Sequence, residues 1–276
     1  MVEAHEFKAV VFDIGGVVVR SPFLAIARYE REHRIPENYL NCSIVARGSE
    51  GAWQKFERGE LELFPFYKAF SQNLSDTVNG NIWYRDFCKR KGIQCPELPD
   101  TLRVDGREVS LLQSLLVRFN EGRMKLFGMM MRESSQYDPH ILEAIRRIRA
   151  ADKHKIIALT NNFSRNDTAI PSSELDFLGW QDGATPNKLK ALFDDFCDSS
   201  TLGTRKPEPR FYLLACERNG IKPSEAVFLD DIGLNLKAAR DLGMETIHVP
   251  IGGTLTAVKV LGQKLGLDLT AEPPKL

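Results

Sequence analysis

Residues 8–13, KAVVFD, constrain this chain more than any other stretch. The run is short, β-branched and aromatic, and apolar on both faces. A strand of that kind needs cover on both sides, which a parallel sheet flanked by helices provides. It ends at Asp13 and runs into Ile14-Gly15-Gly16. Two glycines there let the backbone turn sharply and approach another group closely.

The same logic resumes after Asp138. Asp138 reads as a helix cap with Pro139 as the first helical residue. Ile141, Leu142, Ile145 and Ile148 then fall on one face. A strand is expected at 155–160, running into Asn161-Asn162, and a polar stretch follows at 164–188. Another strand is expected at 192–197, then a loop through Lys206-Pro207-Glu208-Pro209. A helix at 208–219 turns Phe211, Leu214 and Ala215 inward. A strand at 226–230 ends at Asp230-Asp231, followed by a helix at 234–242 and a strand at 245–249. The last helix carries Leu255, Val258, Leu261 and Leu265. Strands alternating with helices predict right-handed crossovers and an α/β fold with a mostly parallel sheet.

Residues 21–100 follow another pattern. Trp53, Phe56, Leu61, Leu63, Phe66, Phe70, Trp83 and Phe87 suggest amphipathic helices without strands. Between 101 and 127 an apolar cluster, Val109 to Leu116, lies between charged ends. It fits one more helix or an insertion.

Composition narrows the partners. Lys plus Arg and Asp plus Glu each number 37, so the net charge is zero. That balance argues against a broadly basic nucleic-acid binder. Apolar content of 43% is ordinary for a soluble globular chain. No apolar run approaches the roughly 20 residues that span a bilayer, and MVEAHEFK lacks a signal peptide's apolar stretch. The five cysteines form no C-x-x-C pair, so reduced thiols in a cytoplasmic protein are expected. The terminal Pro274-Lys275-Leu276 is similar to a peroxisomal address with Pro in place of Ser, which makes the peroxisome the alternative. Oligomeric state is not readable.

Ligands of open parallel sheets bind beyond the carboxyl ends of the strands. The residues at those ends are Asp13, Thr160, Asn161, Asp230 and Asp231, with Lys206 on a neighbouring loop. Mg²⁺ takes one or two carboxylates plus carbonyls and water. Asp13 and Asp231 would supply the carboxylates and Gly15 a carbonyl. A carboxylate also serves as a nucleophile toward phosphorus. Lys206, Thr160 and backbone N–H groups near 14–16 would then receive phosphate oxygens. Taken singly, each residue has a plainer reading: a helix cap for Asp13, turn chemistry for Thr160, a solvated loop for Lys206.

Four segments, VVFDIGGVV, LTNN, RKPEP and FLDDIGLNLKAARDLGM, stand in the order found in the haloacid-dehalogenase superfamily, which the chain resembles. The likeness is strongest to the phosphatase branch found at the N-terminus of soluble epoxide hydrolases and fused to some acyl-CoA dehydrogenases. It covers 7–20 and 136–268, weakens through 21–100 and is lost across 101–126.

The resemblance implies a Rossmann-like core, 1–20 and 136–276, with a helical cap spliced in at 21–135 and an atypical insertion at 101–126. It implies a Mg²⁺-dependent phosphatase acting on a small phosphate ester. Asp13 would form an aspartyl-phosphate. Thr160 and Asn161 would hold the phosphate, Lys206 would neutralise it, and Asp13, Gly15, Asp230 and Asp231 would hold the metal. One position departs: relatives that are phosphatases usually place an acid–base Asp where this chain has Gly15. His33, Glu57 and Glu60 are candidate substitutes. The alternatives are a weakened relative that binds a phosphorylated ligand or a partner, and, less favoured, a 2-haloacid dehalogenase. No G-x-S-x-G elbow supports epoxide hydrolysis.

Overall fold

A computed structural model describes residues 7–104, 124–163 and 170–270. The first strand, β1 (Ala9–Phe12), is followed by helices α1 (Phe23–Glu32), α2 (Tyr39–Ala46), α3 (Ala52–Glu57), α4 (Leu63–Ser75), α5 (Thr77–Lys91) and α6 (Lys125–Glu133). Then come α7 (Pro139–Ala151), β2 (Lys155–Thr160), α8 (Ser172–Leu178), α9 (Asn187–Lys190), β3 (Asp195–Asp198) and α10 (Ser199–Leu202). The order closes with α11 (Pro209–Asn219), β4 (Ala226–Asp230), α12 (Gly233–Asp241), β5 (Glu245–His248) and α13 (Thr254–Leu265). Among the described residues no helix is long and apolar enough to cross a membrane.

The chain divides into two units. The α/β unit holds a five-stranded parallel sheet in the order β3-β2-β1-β4-β5. β1 is central: Ala9 lies opposite Lys155 on one side and Ala226 on the other. Side chains of a strand alternate between its two faces, and both faces of β1 are covered, which explains why Ala9–Phe12 carry no polar residue. Val10 and Phe12 join Ile156, Ala158, Val227 and Leu229 in a core against α7 and α13. Ala9 and Val11 join Ile157, Leu159 and Phe228 in a second core against α11 and α12.

Asp138 caps α7, its Oδ1 accepting from the N–H groups of His140 and Ile141 at 2.9 and 3.0 Å. Ala144, rather than the half-exposed Leu142, completes the buried face of that helix. In α11, Tyr212 replaces Leu214 on the buried face, because its hydroxyl finds the Asn235 carbonyl at 3.0 Å. Leu255 on α13 is exposed, and Ala257 is buried instead. The strand expected from 192 starts at Asp195. Leu192 and Phe193 still belong to the turn after α9, donating to Leu189 and Lys190.

The helical unit gathers α1 to α6 and, from later in the chain, α8. Residues 170–181, expected with the α/β core, therefore group with the helices. The Glu174 carboxylate accepts from the Tyr67 hydroxyl at 2.7 Å, and Trp180 meets Phe127 edge-on. Phe56, Phe66 and Phe70 stack in series, with Phe127 set edge-on to Phe56 and Phe66. Most of the expected insertion, 105–123, and the terminal Pro-Lys-Leu lie outside the described residues, as do residues 1–6.

Candidate active site

At the carboxyl edge of the sheet, Lys206 is 1% exposed. Burying an ammonium costs several kcal/mol unless it is paired. Here it is paired twice: Nζ lies 2.7 Å from Asp13 Oδ1 and 2.8 Å from Asp230 Oδ2. Burial opposes the charge on Lys206, but the two carboxylates outweigh it and hold the pKa above the ordinary lysine value.

Asp230 is the last residue of β4 and is fully buried. Its Oδ1 accepts from the Ile232 N–H at 2.7 Å, and the Asn235 amide donates to both oxygens at 3.1 Å. With Lys206 on Oδ2, this carboxylate is engaged on every side, so it anchors Lys206 and is the least free of the expected metal ligands.

Asp13 is arranged differently. Oδ1 takes the lysine and the Ile14 N–H, the latter at 2.6 Å. Its other oxygen has no protein partner among the described residues. Burial pushes Asp13 well above the carboxylate range; Lys206 pulls against this, while Asp230 and Asp231 add to it.

Asp231 is half-buried. Its Oδ2 accepts from Ser21 at 3.2 Å, and its Oδ1 is buried with no hydrogen-bond partner. Burial, then Asp230, raise its pKa to about 7.

One ammonium thus faces three carboxylates, which each bring an oxygen within 4.8 Å of the others. The orphaned Asp231 oxygen and this surplus of negative charge fit a hard divalent cation.

The turn after β1 shapes the rest of the site. The Ile14 carbonyl accepts from Val17, Val18 and Val19, and Gly16 donates to the Val19 carbonyl at 2.8 Å. The Gly15 N–H makes no hydrogen bond within the turn. Gly16 has φ +88°, and a Cβ there would fall 2.1 Å from Asp231 Oδ2. The second glycine is therefore required by close approach. Thr160 is buried at the end of β2, its hydroxyl 3.4 Å from the Asn161 carbonyl.

The Asn161 carboxamide holds Lys206: Oδ1 accepts the Lys206 N–H at 2.8 Å and Nδ2 donates to the Lys206 carbonyl at 3.1 Å. Ser199, fully buried, clamps the next residue by accepting from the Asn162 N–H and donating to its carbonyl. Ser21, Asn235 and Ser199 were not singled out from sequence, since each acts on a residue distant in the chain.

The suggested acid–base substitutes all lie in the helical unit. His33 stacks on Tyr29 with Nδ1 at 2.9 Å from the Tyr29 carbonyl. Glu60 is held by Arg58, and Glu57 is buried.

A family model described as haloacid dehalogenase-like hydrolase matches residues 7–243. The chain belongs to this family of hydrolase enzymes. Mouse acyl-CoA dehydrogenase family member 10 is 30% identical over 96% of the chain, which spans 20% of that protein. Bifunctional epoxide hydrolase 2 is 41% identical in rat and 27% in pig, each over 96% of the chain and 40% of the relative. The chain thus spans at most two fifths of the length of these relatives.

Proposed function

We propose that this hydrolase is a Mg²⁺-dependent phosphatase acting on a small phosphate ester through an aspartyl-phosphate on Asp13. The observation that carries the reading is the asymmetry of the Asp13 carboxylate. Lys206 and the Ile14 N–H fix one oxygen and leave the other as an oriented nucleophile.

In the first step that free oxygen attacks phosphorus and the ester P–O bond breaks. The alkoxide leaves and takes up a proton. In the second step water attacks the phosphorus of the aspartyl-phosphate, giving inorganic phosphate and restoring Asp13. The Thr160 hydroxyl, the Gly15 and Asn161 N–H groups and Lys206 would meet the phosphoryl oxygens. Mg²⁺ held by Asp13, Asp231 and the Gly15 carbonyl would offset the repulsion between nucleophile and substrate. Asp230 would act through Lys206.

Gly15 provides no proton for the leaving group. General acid–base help is typically worth ~10²–10⁴ in rate. Acyl and aryl phosphates, whose leaving groups need no proton, should therefore turn over faster than alkyl phosphates.

The test is phosphate release with Mg²⁺ from a panel of sugar, lipid, aryl and acyl phosphates. Release abolished by chelation and by Asp13→Asn supports the reading. Equal release by wild type and Asp13→Asn would sink it, and binding without turnover across the panel would replace it with a phosphoryl-ligand binder.

A further inference from the structure

The helical unit carries a groove of 370 Å³ between α2 and α5. That volume is at the small end of the range of about 300–1,000 Å³ for ligand pockets. Its apolar lining includes Val45 on α2 and, one helical turn apart on α5, Trp83 and Phe87.

Trp83 is held in place from outside the groove lining. The Arg47 guanidinium lies 5.0 Å from its ring centroid and is itself fixed at 2.8 Å by Asp76 and by the Asn73 carbonyl. The aromatic surface is thereby preorganised for another ring.

Three polar groups in the same groove are unmatched. Asn41 Oδ1 is buried without a hydrogen-bond partner. A buried acceptor left unpaired costs ~1–3 kcal/mol, which a ligand N–H would relieve. Asp86 and Arg90 stand four residues apart on α5, a spacing at which such residues commonly pair. They make no ion pair or hydrogen bond with each other or with any described residue. One anion and one cation, a helical turn apart beside an aromatic floor, complement a ligand that carries both charges next to a ring.

We propose that this groove binds a small aromatic zwitterion, of which an aromatic α-amino acid is the simplest form. The ring lies against Trp83 and Phe87, and a ring N–H donates to Asn41 Oδ1. The ammonium faces Asp86 and the carboxylate faces Arg90. The proposal stands apart from the phosphatase reading, since no residue of the aspartate cluster takes part.

Calorimetric titration of the wild-type protein with L-tryptophan tests it. Tryptamine, which lacks the carboxylate, and indole-3-propionate, which lacks the ammonium, are the companion probes. Saturable binding of tryptophan, tighter than either companion by about tenfold, is expected. Arg90→Gln should weaken tryptophan by a similar factor and leave tryptamine unchanged. Asp86→Asn should weaken tryptophan and leave indole-3-propionate unchanged. Both side chains are exposed, so both variants should keep the wild-type melting temperature. Absence of saturable binding up to about 5 mM tryptophan, a concentration that detects even a weak site, overturns the proposal. So does tryptophan binding that neither variant alters.

Discussion

Asn161 grips Lys206 by the peptide groups on both sides of its Cα, as a neighbouring strand would, with bonds of 2.8 and 3.1 Å. The ammonium between Asp13 and Asp230 is thus aimed from behind. Asn161→Ala removes both bonds while leaving the charges in place. Misplacement by about 1 Å can cost ~10² in rate, so kcat should fall by about that factor with KM little changed. Steady-state kinetics on an aryl phosphate would measure the split. An effect confined to KM would show that the Asn161 carboxamide binds substrate rather than positioning Lys206.

Gly16 and Asp231 cannot both keep their places if Gly16 acquires a side chain. Gly16→Ala puts a Cβ against the Asp231 carboxylate and strains a backbone at φ +88°. Mg²⁺-dependent activity should drop steeply, and the Mg²⁺ concentration giving half-maximal rate should rise by about tenfold, the scale of one displaced ligand interaction. A titration of rate against Mg²⁺ reads this. An unchanged half-saturation would show that Asp231 is not a ligand.

Installing the absent carboxyl tests the Gly15 departure. Gly15→Asp should raise turnover of alkyl phosphates, by up to ~10² of the range that acid–base groups supply, and acyl phosphates by much less. Equal gains on both classes would mean that leaving-group protonation is not the deficit.

Glu30 makes the helical unit sensitive to pH. Its carboxylate is buried and accepts from the Asn38 and Leu40 N–H groups at 2.8 Å, at the start of α2. Burial outweighs those two bonds and raises its pKa from 4.5 to about 7. Between those values the folded chain holds a proton that the unfolded chain has released. Stability should therefore fall as pH rises from 4.5 to 7 and level off above, by about 3 kcal/mol in all. Urea unfolding of wild type and Glu30→Gln across that window should show the difference between them changing with pH. A constant difference would refute the assignment.

The sheet was legible because parallel strands covered on both faces leave unbroken apolar runs, and because their ends fall on Asp13, Thr160 and Asp230. Covered faces chosen by a polar tip were not legible: nothing local to Tyr212 shows that its hydroxyl would meet Asn235. The aspartates and Lys206 could be named from motif order, but their division of labour could not. Asp230 and Asp231 are chain neighbours of the same type. Only the positions of Lys206, Ser21 and Asn235 make one an anchor and leave the other with an unpaired oxygen. The grip of the Asn161 carboxamide on Lys206 was hidden for the same reason, since its partner is 45 residues away.

The central position of β1 has a consequence for synthesis. The strand that leads into Asp13 leaves the ribosome well before its two flanking partners, which begin at Lys155 and Ala226. Until both have emerged, an apolar strand has open edges, a species prone to pair with another chain. The helical unit draws mostly on residues made in that interval, so it can form while β1 waits. A nascent chain halted before Ala226 would therefore present a folded helical unit joined to a strand with at least one open, aggregation-prone edge, which is where chaperone dependence should concentrate.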